Sequence, residues 1–252
     1  MPSFRDRLRG GEFLAGTFLK TPSHVVIEIM AKSGLDFVCI DAEHAPWGRA
    51  ECDAALAVAR AHGLPVLVRV GAGTPDAILN ALDLGATGVV VPHVDTVEKA
   101  RAIAAAGHFG RGGRGFAGST RWAGYATRPM GEVMDQDAET VVIAQIEEPE
   151  GVDVADGIAA VDGIDALFAG PADLSVGYGH RSQDNPDLPE ALAKIGEACR
   201  ARGKGYVTWV PDAAKAAEWR RHGVSCFFVA SEHAWMLRGA REVAEGIHAL
   251  GD

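Results

Sequence analysis

The chain has 252 residues, 48% of them apolar, and a net charge of −10. That length supports one large core. The acidic balance excludes a nucleic-acid footprint, which needs clustered Lys and Arg, and no apolar run approaches the roughly 18 residues of a membrane span. The opening MPSFRDRLRGGEF has no apolar h-region, so no signal peptide is expected. Cys39, Cys52, Cys199 and Cys226 form no CxxC pair and no zinc spacing. Cys39 and Cys226 sit inside apolar runs as small core residues, and the set points to a reducing cytoplasm.

The first β-branched apolar run is LAGTFL (14–19), followed by the amphipathic SHVVIEIMAKSG. FVCI (37–40) then leads to RAECDAALAVARAHG, and PVLVRV (65–70) to TPDAILNALDLG. GVVVPHV (88–94) precedes TVEKARAIAAAG, and VVIAQI (141–146), ALFA (166–169), YVTWV (206–210) and CFFVA (226–230) complete the series. Nearly continuous runs are how strands buried on both faces read. The intervening segments end in Gly, as helix C-caps do, and Thr74-Pro75 and Asp212 read as helix starts. Eight strands alternating with helices predict a single-domain (β/α)8 TIM barrel over 1–252, with a doubly wound open sheet as the alternative. One long connection, about 107–137, carries GRGGRGFAGSTRWAGYATRPM. Its Gly113-x-Gly115-x-x-Gly118 follows a helix-like stretch, so it is not a dinucleotide site. It reads as a flexible loop over the mouth, with Arg114, Arg121 and Trp122.

A barrel puts its chemistry at the C-terminal ends of the strands. Those ends carry Lys20; Asp41, Glu43 and His44; Arg69; His93; Gln145, Glu147 and Glu148; Asp173; and Ser231 with Glu232. Glu147 and Asp173, from adjacent strand ends, suit a hard divalent cation. The competing reading is a helix start and a turn cap. Arg69 at a buried strand end needs an anion, either a substrate oxygen or a structural partner in Asp41 or Glu43. His44 is a natural general base. His93 is ambiguous.

DAEHAP (41–46), VRV (68–70), LDLGATGVVVPHV (82–94), QIEEPEG (145–151) and GPADLS (170–175) resemble the HpcH/HpaI aldolases, metal-dependent (class II) pyruvate aldolases, in family order over nearly the whole chain. The resemblance implies cleavage of a 4-hydroxy-2-oxo acid to pyruvate and an aldehyde. It implies Glu147 and Asp173 as ligands of Mg2+ or Mn2+, with Co2+ also active. Arg69 would meet the keto and enolate oxygen, and His44 would be the acid/base. Asp41 would orient both, and Asp83 would support His44 across a subunit boundary. Gln145 would touch the ligand shell, and the backbone of Gly170, Pro171, Ala172 and Asp173 would hold the pyruvate carboxylate. It further implies a homo-hexamer, a trimer of dimers that exchange the last helix. EHAWMLRGAREVAEGIHAL carries the apolar load for this, although such a helix can also close its own barrel. Trp47 and the glycine-rich loop depart from the family pattern, and Trp47 reads as a wall of the aldehyde pocket.

Three rival readings remain. A Schiff-base aldolase needs a lysine at a strand end, and Lys20 alone qualifies. A CoA-thioester lyase of the citrate lyase β or malyl-CoA type needs a basic surface. A non-catalytic barrel would merely bind a 2-oxo acid.

Overall fold

The computed structural model describes residues 2–110 and 112–251. Eight parallel strands close into a barrel in sequence order. They are β1 (Leu14–Leu19), β2 (Phe37–Asp41), β3 (Val66–Arg69), β4 (Gly88–Val91), β5 (Val141–Ile146), β6 (Ala166–Ala169), β7 (Gly205–Val210) and β8 (Cys226–Ser231). The pairing of β1 with β8 rules out the open sheet. β4 stops earlier than its apolar run suggests: Pro92 has no N–H to donate, and His93 turns the chain into the left-handed region at φ 58.

The period-2 alternation of the strands sorts the core into two sets. One set, including Val38, Ile40, Val66 and Val68, faces the surrounding helices. The other fills the barrel with Leu14, Phe18, Phe37, Leu67, Ile143, Phe168 and Phe228. The Phe228 ring lies 4.8 Å from Phe18 and 4.9 Å from both Phe37 and Phe168. Each such pair contributes roughly 0.5–1.5 kcal/mol beyond its buried area.

The N-terminal ends of the strands are plugged. The helix Phe4–Arg9, opened by a Ser3/Asp6 capping box, buries Phe4 and Leu8. Arg5 Nε holds it there through a 2.7 Å bond to the fully buried Asp165. The C-terminal ends are therefore the open mouth.

The connection after the helix Val97–Gly107 returns to the start of β5, so it lies at the plugged end. In its own chain it does not cover the mouth, contrary to the expectation from sequence. Nor is it loose: Trp122, Ala123 and Val133 are buried with Phe109 against them. Arg114 lies between the Phe109 and Trp122 rings, 4.9 and 4.5 Å from their centroids.

The last helix, Glu232–His248, buries only Glu232. Met236, Leu237, Val243 and Ile247 are each more than half exposed, at 54%, 52%, 67% and 62%. The helix does not use its apolar face to close its own barrel.

Candidate active site

The alternation that points Phe37 and Cys39 into the barrel also points Asp41 inward, as the last residue of β2. Asp41 sits in register with Arg69, the last residue of β3, so the two side chains meet side by side. Arg69 Nε donates to Asp41 Oδ1 at 2.9 Å, and Arg69 Nη2 to Oδ2 at 2.8 Å. Lys20 Nζ donates to the same Oδ2 at 2.7 Å, and the His44 backbone N–H to Oδ1 at 3.2 Å. Asp41 therefore organises Arg69 through its side chain and His44 through its backbone. Burial pushes the Asp41 carboxyl up, but the hydrogen bonds and charge of Arg69, then those of Lys20, outweigh it and hold it at about 2. The guanidinium is further fixed by the Phe18 ring, 4.3 Å away, and by Glu43 at 3.3 Å. The His44 ring is mostly exposed at the mouth, with Nε2 3.7 Å from Glu43.

Glu147 follows β5 and is 4% exposed. Its Oε1 accepts the His93 backbone N–H at 2.8 Å, and its Oε2 accepts from Gln145 Nε2. Burial raises the Glu147 carboxyl above its usual range, and the neighbouring Asp173 charge adds to this, against the hydrogen bonds from His93 and Gln145. The His93 imidazole is 3.2 Å from Glu147 and 2.5 Å from Glu148, whose hydrogen bond raises its pKa. Ligand atoms of Glu43, His93 and Glu147 lie within 4.8 Å of one another. Asp173 is outside that cluster and lines the cavity beside it.

These residues fit a divalent cation. Glu43 Oε2 and Gln145 Oε1 are buried with no hydrogen-bond partner. The donors are hard oxygens, with one imidazole within reach. Gly170 keeps the carboxylate in place, since a Cβ there would stand 2.9 Å from Glu147 Cβ.

A cavity of about 470 Å³ is lined by Lys20, His44, Arg69, Gln145, and residues 170–173. The carboxylate cradle and the Trp47 wall expected from the sequence both differ in the structure. The Gly170 N–H donates to Ile146 O at 2.9 Å, and Pro171 has none to offer. Only the Ala172 and Asp173 amides, in the first turn of the helix Pro171–Gly177, are left for a carboxylate. Trp47 is not a cavity wall. It is 8% exposed within the strand–helix core, and its indole N–H donates to Leu19 O at 2.9 Å. Trp47 secures the end of β1 instead.

Asp83 ends the helix Pro75–Asp83, ahead of β4, and so lies at the plugged end. In its own chain it accepts from Arg114 Nη2 at 2.6 Å and is remote from His44. His93 is ambiguous in the sequence, and Phe18 carries no functional signal there. His93 shows itself only through the left-handed turn that carries it to Glu147, and Phe18 only through the ring face it offers Arg69.

The pattern of the HpcH/HpaI aldolase/citrate lyase family matches residues 14–237. The chain is 32% identical over 254 residues to a hydroxypyruvate/pyruvate aldolase of Paraburkholderia phytofirmans, covering 97% of each chain. It is 39% identical over 202 residues to a 4-hydroxy-2-oxovalerate aldolase of Novosphingobium aromaticivorans, covering 77% of this chain and 76% of that one. The crystal structure of an HpcH/HpaI aldolase/citrate lyase family protein from Burkholderia cenocepacia superposes with a TM-score of 0.91 at 33% identity, over 97% of this chain and 98% of the other.

Proposed function

The chain belongs to the HpcH/HpaI aldolase/citrate lyase family and is a carbon–carbon lyase of the aldolase kind, and from that premise we propose that it reversibly cleaves 4-hydroxy-2-oxo acids to pyruvate, or a pyruvate-like 2-oxo acid, and an aldehyde. The observation that supports this reading is the meeting of the Asp41-held Arg69 with Glu147, Asp173 and His44 around one cavity mouth.

Glu147 and Asp173 would hold a divalent ion, with Mg2+ or Mn2+ best suited to oxygen donors and Co2+ a further candidate. When bound, such an ion supplies positive charge that stabilises the oxo oxygen as an enolate develops. Arg69 offers a second fixed positive group to the same oxygen, already aligned by Asp41. The Ala172 and Asp173 amides receive the substrate carboxylate. His44, at the open mouth, takes the proton from the C4 hydroxyl. The C3–C4 bond then breaks, its electrons pass to the enolate, and the aldehyde leaves. Protonation at C3 completes pyruvate. The four buried, unpaired cysteines support a reducing, cytoplasmic setting.

Pyruvate release from a panel of 4-hydroxy-2-oxo acids, with Mg2+, Mn2+, Co2+ or EDTA, tests the reading. Activity that depends on the metal and vanishes in EDTA is expected. No release from any member, or full activity in EDTA, would sink it.

Assembly belongs to the same proposal. An exposed apolar face on the last helix and an Asp83 far from its own His44 support a homo-hexamer in which neighbours exchange that helix and Asp83 serves the next subunit's His44. His44→Ala and Asp83→Ala should each be poorly active alone. Co-expressed in one cell, the two variants should regain part of the activity, because mixed oligomers contain sites with both residues intact. Absence of any recovery counts against the shared site.

A further inference from the structure

We propose that Lys20 is the group that recognises the aldehyde half of the substrate, and that it selects an acceptor ending in a carboxylate. This rests on the cleavage reading above and names the acceptor class for that site.

In a closed ring of eight strands, β1 stands across the mouth from β5. A substrate anchored at Glu147, after β5, and at the Ala172 and Asp173 amides, after β6, therefore extends its far end toward β1 and β8. Lys20 follows β1 and lines the cavity there. Among the described residues, Lys20 and Arg69 are the only Lys or Arg side chains that line the cavity, and Lys20 alone lies on its β1 and β8 side. Arg69, held by Asp41 and Glu43, is already assigned to the oxo oxygen. Lys20 is not used up: its ammonium has three donors, and Asp41 takes one. Its side chain remains 30% exposed.

The backbone that carries Lys20 is also held in place from behind, through its amides. Glu232 is 2% exposed, and its Oε1 accepts both the Lys20 N–H at 2.7 Å and the Thr21 N–H at 2.6 Å. The β1, β7 and β8 side of the cavity is otherwise mainly apolar: Phe18, Trp209, Pro211 and Ala234, with Ser231 the polar exception and Trp209 fixed by its N–H bond to Ala230 O at 3.0 Å. One fixed cation in an otherwise mainly apolar wall fits an acceptor chain of methylenes with an anionic end. A neutral acceptor would leave the donors to water. The ion pair with Asp41 gives Lys20 a task other than that of a Schiff-base nucleophile.

The test compares matched pairs of 4-hydroxy-2-oxo acids over a series of chain lengths, one ending in carboxylate and the other in methyl. The wild-type chain should prefer the carboxylate by roughly tenfold to a hundredfold in kcat/KM at one length. Lys20→Met should erase most of that preference, chiefly through KM, and Lys20→Arg should restore part of it. Taking the ratio within each pair cancels any loss that Lys20→Met transmits through Asp41. Titration calorimetry on the Mn2+-loaded protein supplies a second arm. It uses 2-oxo diacids and 2-oxo monoacids of equal length, which lack the 4-hydroxyl and cannot be cleaved. Tighter diacid binding that Lys20→Met abolishes supports the proposal even if no 4-hydroxy acid is turned over, an outcome that would count against the cleavage reading alone. No carboxylate preference in either arm, a preference that Lys20→Met leaves intact, or a borohydride-trapped pyruvate adduct on Lys20 would overturn it.

Discussion

Glu147→Ala and Asp173→Ala should each abolish metal-dependent pyruvate release, with a loss of about 10³-fold or more, the scale of several kcal/mol of charge stabilisation. Both variants should remain folded. Glu147→Ala leaves the His93 N–H and the Gln145 amide without their acceptor, at about 1–3 kcal/mol. It also removes a carboxyl that burial already disfavours as an anion, which offsets part of that cost. Mn2+ binding, followed by electron paramagnetic resonance, separates two donor sets that share Glu147. If the ion sits between Glu147 and Asp173, Asp173→Ala loses Mn2+ and Glu43→Gln retains it. If it sits in the cluster of Glu43, His93 and Glu147, the pattern reverses. Retention of Mn2+ and activity in both Glu147→Ala and Asp173→Ala rejects the assigned pair.

Arg69→Lys should lower kcat/KM by about 10²–10³-fold although the charge is kept, the cost of one lost oxyanion donor. Lysine cannot reproduce the two parallel bonds to Asp41, nor the flat contact with the Phe18 ring. The Asp41 side of the pair is a stability experiment. Asp41→Asn leaves Arg69 and Lys20 facing a neutral amide in a buried site, and should cost about 3–5 kcal/mol in urea unfolding. The pH dependence has a definite sign. The folded-state carboxyl lies at about 2, below its unfolded value, so its contribution is complete above pH ~4. It is lost as the pH falls from there through about 2. The stability gap between wild type and Asp41→Asn should therefore be flat through neutrality and narrow only in that acid window. A gap that narrows near pH 7 instead would mean that Asp41 is not the titrating group.

Most of the barrel was legible because burial on both faces leaves a local signature. LAGTFL, VVIAQI and ALFA coincide with β1, β5 and β6 end to end, since continuous apolar runs have no other way to satisfy both faces. Asp41, Arg69 and Gln145 were legible for a related reason. Each is a polar residue at the end of an apolar strand, and alternation then directs it into the mouth. Trp47 was misread because it sits among turn residues, and nothing local indicates that its indole reaches back to the carbonyl of Leu19. The glycine-rich loop was misplaced for a topological reason. A connection that follows a helix ends at the start of the next strand, and so at the closed end of the barrel, whatever its composition suggests.

The sequence by itself determined the strand count, the barrel and the end of it where chemistry is set, because hydrophobic periodicity and strand-end charges are properties of short segments. Only the tertiary structure decided the partners: Asp41 between Arg69 and Lys20, Glu147 under the His93 amide, Asp83 on Arg114 at the far end. Those pairings join residues distant in the chain, and they depend on closure of the ring and on the alternation at each strand end, which no single segment encodes.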